Sequence, residues 1–78
     1  MDAVSSVALP RLDRSRLMAA QVFELLRERI ISLELSPGTV LSRAALAEEF
    51  RLSSSPIRDA LIRLEDEQLV GHLPWGLV

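Results

Sequence analysis

The chain has 78 residues, 49% hydrophobic and 26% charged, which describes one small globular domain rather than a disordered segment. A domain of this size buries only about 60% of the surface its unfolded chain exposes, so its stability should be modest and there is no room for a second lobe around an enzyme cleft. No cysteine and a single histidine, His72, exclude disulfides, thiolate metal sites and histidine-centred catalysis, and nine arginines against eleven acids leave a formal charge of −2. No apolar run approaches the roughly 20 residues that span a bilayer, and the N-terminus carries Asp2 without an apolar signal core, so no membrane partner and a cytoplasmic location are expected.

Residues 1–12 have small side chains, one proline and no periodicity, and are expected to form a flexible arm before a domain at 13–78. Arg11, Arg14 and Arg16 read as solvated cations within reach of a phosphate. Asp13 or Ser15 then caps a first helix. Its buried stripe is read as Leu17, Met18, Val22, Leu25, Leu26, Ile30 and Leu33, with Glu24 and Glu28 pairing with neighbouring arginines on the outer side.

The helix should stop near Leu33, because Ser36-Pro37-Gly38 is turn chemistry. Thr39-Val40-Leu41 is β-branched enough for one short strand. Ser42 caps a second helix, Arg43 to Phe50, which turns Leu46 and Phe50 inward. Only Arg51 and Leu52 separate it from a serine-rich start at Ser53, where Pro56 is tolerated in the first turn. From there Ile57, Ala60, Leu61 and Leu64 form one apolar stripe, and Ser54, Ser55, Arg58 and Ile62 lie off it. Two helices joined so tightly make a helix-turn-helix.

After Gln68 the pattern becomes extended. Leu69 to Leu73 reads as a strand, Pro74-Trp75-Gly76 as a turn and Leu77-Val78 as a return strand. The fold class is therefore mainly α with a small β-hairpin, a winged helix-turn-helix of three helices plus a wing.

From Val22 to Val78 the sequence resembles the DNA-binding domain of the GntR family of bacterial transcription regulators. The resemblance is carried by Val22, Leu26, Arg27, Ile30 and Ile31; by Leu35 with Pro37-Gly38 and Leu41-Ser42; by Leu46-Ala47-Glu48 and Ser53; and by Pro56-Ile57-Arg58-Asp59-Ala60-Leu61 with Arg63-Leu64-Glu65 and Leu69-Val70. It implies a homodimer whose recognition helices, Ser54 to Glu67 in each copy, enter the major groove of a palindromic double-stranded operator while the wings approach the minor groove. It further implies a ligand-binding C-terminal domain outside this chain, all-helical in the FadR/VanR branch, which often takes a small carboxylate with a metal. No cofactor is expected in the present domain, and no enzyme activity.

The departures from the family pattern are specific. Ser54, Ile62 and Ala44 stand where arginines are usual, and each loss removes a cation able to meet a phosphate or grip guanine O6 and N7. Arg51 and Gln68 stand where the family turns carry glycine, so either the turns adapt or the domain loses on the order of 1 kcal/mol at each. The wing looks one residue short and offers only His72 and Trp75, the indole either covering the domain or reaching the groove.

The expected DNA-binding residues are Arg58, Ser54, Ser55, Arg43 and Arg51, with Arg58 first because it lies one turn inside the helix and off the apolar stripe. Ser53 is expected to be a pure cap, and Arg63 to pair with Glu67 four residues on. Glu65-Asp66-Glu67 reads as a solvated helix end. The alternative function is a winged helix kept as a protein-interaction or dimerisation module with weak or no DNA binding, which the acidic balance and an exposed Ile62 would favour.

Overall fold

A computed structural model describes residues 14–78; the arm read at 1–12 and the cap read at Asp13 lie outside the described residues, and Ser15, the other cap read, lies inside the first helix. The element order is α1 (Arg14–Ile31), β1 (Val40–Leu41), α2 (Arg43–Phe50), α3 (Ser54–Asp66) and β2 (Trp75–Gly76). Among the described residues, three helices plus a small antiparallel sheet make a winged helix-turn-helix, as the sequence predicts.

The first helix buries Val22, Phe23 and Leu26, with Ile30 partly covered beside them. This corrects the stripe read from the sequence. Leu17, Leu25 and Leu33 are 47%, 45% and 71% exposed, whereas Phe23 is 2% exposed. The cause is the 100° step per residue: a stripe centred on Val22, Leu26 and Ile30 takes in Phe23 on one flank and throws Leu25 past the other. Leu33 lies beyond the last helical turn altogether.

The chain leaves α1 through Leu33, which adopts φ 65°, and Pro37-Gly38 then turns it back. Gly38 has φ 88°, and Thr39 N–H donates to Ser36 O at 3.1 Å, the arrangement of a type II turn with proline second and glycine third. The turn delivers β1 against β2, with Leu41 opposite Trp75 and Val40 opposite Gly76.

The wing differs from the predicted hairpin. The return strand begins at Trp75, in place of a turn there, and it occupies the middle of the sheet. On one side Leu77 N–H donates to Thr39 O at 2.8 Å; on the other Val70 bridges Leu77, and Gly71 N–H donates to Gly76 O at 2.8 Å. The reversal falls on residues 71–74, and the Leu73–Pro74 peptide is cis. Alternation along the return strand explains the placement, since Trp75 and Leu77 both point into the core while Gly76 points away. Trp75 at 9% exposure is thus packed over the domain.

Leu41, Leu46, Ile57, Ala60, Leu61, Leu64 and Val70 complete the core, and no buried polar side chain interrupts it among the described residues. α3 is its central element, packing on α1 along one flank and on α2 along another.

Both turns that flank α3 keep the geometry that glycine would favour, although neither has glycine. Arg51 sits at φ 56°, with Arg51 N–H donating to Glu48 O at 3.2 Å and Leu52 N–H to Ala47 O at 2.9 Å. Gln68 sits at φ 62°, with Gln68 N–H donating to Glu65 O at 2.8 Å and Leu69 N–H to Leu64 O at 2.9 Å. Each is a full Schellman closure on a residue whose Cβ opposes the left-handed conformation. Arg51→Gly and Gln68→Gly are each expected to stabilise the domain by up to about 1 kcal/mol, which raises the melting temperature by roughly 4–8 °C in a domain this small. Thermal unfolding followed by circular dichroism checks this, and an unchanged or lower midpoint would show that the unfolded chain's gain in freedom outweighs the relief of strain.

Candidate nucleic-acid interface

The two helices of the motif are capped differently, and the difference decides what is left open at the start of α3. Ser42 has extended backbone and its hydroxyl accepts from Ala45 N–H at 3.1 Å, an ordinary N-cap. Ser53 occupies the same position before α3, with φ −67° and ψ 167°, yet its side chain makes no cap hydrogen bond. The role read for it, a pure cap, therefore holds for the backbone and fails for the hydroxyl. Proline removes one of the two usual partners: a capping oxygen accepts from the second or third helical amide, and the third residue here is Pro56, which has none. Pro56 is buried, and the first-turn amides of Ser54 and Ser55 have no helical carbonyl within reach.

Beyond this turn α3 divides cleanly. Ile57, Ala60, Leu61 and Leu64 are each at most 1% exposed. Ser54, Ser55 and Arg58 are exposed on the outer side, while Ile62, expected to be free, is half-buried against the core margin. The exposed contact surface read at Ile62 is thereby corrected. It sits where the outer face of α3 meets the wing, in an open groove of about 430 Å³.

That groove brings some of the sequence-predicted residues together and leaves others apart. Arg43 and Arg58 both line it, opposite His72 and Trp75. Arg58 is one turn into the helix with its side chain 54% exposed; its Nη1 lies 3.9 Å from Asp59 Oδ1, at the outer limit of an ion pair. At that distance and exposure the pair contributes at most a few tenths of a kcal/mol, so the guanidinium is available to a ligand. Arg43 crosses from the start of α2 to the start of α3, where Nε donates to Ser54 O at 3.3 Å and Nη2 to Ser54 Oγ at 3.2 Å. Arg51 stands exposed in the turn between the helices, and Ser55 is exposed beside Ser54.

The remaining charges are mostly used inside the scaffold. Arg27 Nε lies 3.6 Å from Glu67 Oε1, and Arg29 Nη2 lies 3.0 Å from Glu49 Oε2 while its guanidinium carbon sits 5.6 Å from the centre of the Phe50 ring. These pairs replace the expected one between Arg63 and Glu67. Arg63 instead lays its guanidinium 4.1 Å from the centre of the Phe23 ring, a cation–π contact that closes α3 over α1. The negative end of α3 is thus tied to α1 through Glu67 and is not simply solvated.

One contact at the groove escaped sequence reading. His72, at the tip of the wing, places Nδ1 2.8 Å from Glu65 Oε2, linking wing to α3, and its ring meets Trp75 edge-on at 6.4 Å and 74°. Nothing in the spacing of seven residues signals this pair, because it depends on where the chain reverses. Among the described residues no group of three or more acidic or histidine side chains is placed to hold a metal ion, and no helix is long and apolar enough to cross a membrane.

Comparison with known proteins agrees with this architecture. The model of the family described as bacterial regulatory proteins, gntR family, matches residues 18–74. The gluconate operon transcriptional repressor of Bacillus licheniformis is 51% identical over 53 residues, covering 68% of this chain and 22% of its own. Its counterpart of the same name in Bacillus subtilis (strain 168) is 44% identical over 53 residues, again 68% and 22%. The HTH-type transcriptional repressor RspR of Escherichia coli (strain K12) is 33% identical over 54 residues, 69% of this chain and 24% of its own. The chain therefore spans less than a quarter of the length of these curated relatives. A match to the family model from the first helix through the helix-turn-helix to the start of the wing, borne by the folded motif just described, makes the chain a member of the gntR family of bacterial regulatory proteins.

Proposed function

We propose that this chain is the operator-reading domain of a bacterial transcription regulator of repressor type, with α3 entering the major groove of double-stranded DNA. The single observation that carries the reading is the split of α3 into a fully buried stripe and an open side bearing Ser54, Ser55 and Arg58, all of them hydrogen-bond donors. Arg58 is assigned to base or phosphate, Ser54 and Ser55 with their free amides to the acceptors at the groove edge, and Arg43 and Arg51 to the flanking backbone. In this reading two copies pair so that their recognition helices lie about 34 Å apart on a palindromic site. Pairing and effector control belong to the part of the protein beyond this chain, as does any small carboxylate with a metal. A cytoplasmic location follows from the same reading.

The experiment is a titration of labelled duplex DNA, with selected and with random sequence, at several salt concentrations. Arg43 and Arg51 on phosphates predict a slope of log affinity against log salt near −1.8 per chain, or near −2.7 if Arg58 also meets a phosphate, from about −0.9 for each phosphate neutralised, and a clear preference for the selected duplex. A second reading, a winged helix used to bind protein, is favoured by Asp59 beside Arg58 and by Glu65 and Asp66 further along the helix. Absence of salt-dependent duplex binding would decide for it.

A further inference from the structure

Arg43 and Ser54 are joined in a way that neither helix needs for its own stability. Ser42, not Arg43, caps α2, and Ser53 holds the N-cap position of α3. Arg43 is half-buried, Ser54 is exposed, and neither belongs to the core. Yet Arg43 binds Ser54 twice, at the carbonyl and at the hydroxyl, at 3.3 and 3.2 Å.

The chemistry of this pair is one-sided. A guanidinium carries five N–H donors and no acceptor, so two bonds to Ser54 leave three donors unspent. A serine hydroxyl that accepts from Arg43 keeps its own proton to donate. Together they offer donors only, held in one orientation at the first residue of α3, on the groove that Arg58 also lines.

We propose that Arg43 and Ser54 act as one composite donor toward duplex DNA, with Arg43 positioned by its tether to Ser54 rather than acting as a free cation. The complementary ligand has two adjacent lone-pair acceptors, either O6 and N7 of a guanine or two oxygens of one phosphate. The proposal rests on the DNA-binding reading of α3 and adds a unit that selects the acceptor.

The test is binding-site selection from a pool of randomised duplexes with the 78-residue chain, followed by titration of the selected duplex, for wild type, Arg43→Ala, Ser54→Ala, the double variant and Arg43→Lys. Each alanine variant should lose roughly 5- to 150-fold in affinity, the range of one good two-pronged contact, and the double variant should lose no more than about twofold beyond the weaker single. Arg43→Lys keeps the charge but presents one ammonium in place of the planar fork, so it should fail to restore binding where the acceptor is guanine and should recover part of the affinity, without reaching wild type, where it is phosphate. Where Arg43→Ala does not fold, Arg43→Lys carries the test. If the acceptor is guanine, all variants lose the same preferred base; if it is phosphate, preference is kept and the salt slope falls by about one in Arg43→Ala and the double variant.

Losses that multiply in the double variant, wild-type binding by Arg43→Lys, or an Arg43→Ala change within twofold would each overturn the pair. If wild type itself selects no sequence and shows no salt-dependent binding, the DNA-binding reading fails and the pair with it. Normal selection by wild type together with unaffected Arg43→Ala overturns the pair alone.

Discussion

Replacing Phe23 by alanine is expected to cost about 3–5 kcal/mol of folding stability. The ring is 2% exposed, and Arg63 of α3 lies 4.1 Å from its centre, so truncation removes a large buried apolar surface and a cation–π contact together. A chain of this length has in total roughly 4–12 kcal/mol of stability, which makes the loss a large fraction of the whole. Leu25→Ala supplies the control: its neighbour on the opposite flank of α1 is 45% exposed, and its truncation should cost well under 1 kcal/mol. Urea unfolding of the two variants measures both. Equal losses, or a loss under 1 kcal/mol at Phe23, would mean that α1 is rotated from the orientation described.

Arg58→Ala should weaken binding to the selected duplex by about 1–3 kcal/mol, roughly 5- to 150-fold, while leaving the unfolding midpoint nearly unchanged. The reasoning is geometric. The side chain is 54% exposed, its ion pair among the described residues is the 3.9 Å approach to Asp59, and it lies on the groove between α3 and the wing. Nothing in the core depends on it. If it grips a guanine, Arg58→Lys will not rescue the preference, since an ammonium cannot reproduce the planar fork; if it meets a phosphate, lysine will recover most of the affinity. Removal of the nearby carboxylate by Asp59→Asn should tighten binding modestly at low salt. An Arg58→Ala effect within twofold would take Arg58 off the recognition surface and move the functional reading toward the protein-binding alternative.

Much of the motif is legible from local chemistry. Ser42 before an apolar-periodic run, Pro37-Gly38 at a turn and the repeat through Ile57, Leu61 and Leu64 each act over a few residues, so order and spacing reveal them. At Arg51 and Gln68 the sequence left two outcomes open, adapted turns or strained ones, and the structure keeps both residues left-handed. The errors share one character. Preferring Leu25 to Phe23 mistook which side of a doubly apolar helix faces its neighbour, and pairing Arg63 with Glu67 took a helical spacing for a contact when both side chains are drawn to α1.

The amino-acid sequence by itself determined the three helices, the tight joint between the last two, and the open polar side of α3, since capping, turn formation and periodicity are settled between near neighbours. The tertiary structure alone decided that Arg43 is tethered to Ser54, that His72 holds the wing to Glu65, and that the return strand runs between β1 and the segment at Val70. Those arrangements join residues through space rather than along the chain, and a side chain's partner follows from how the helices dock, which no spacing records.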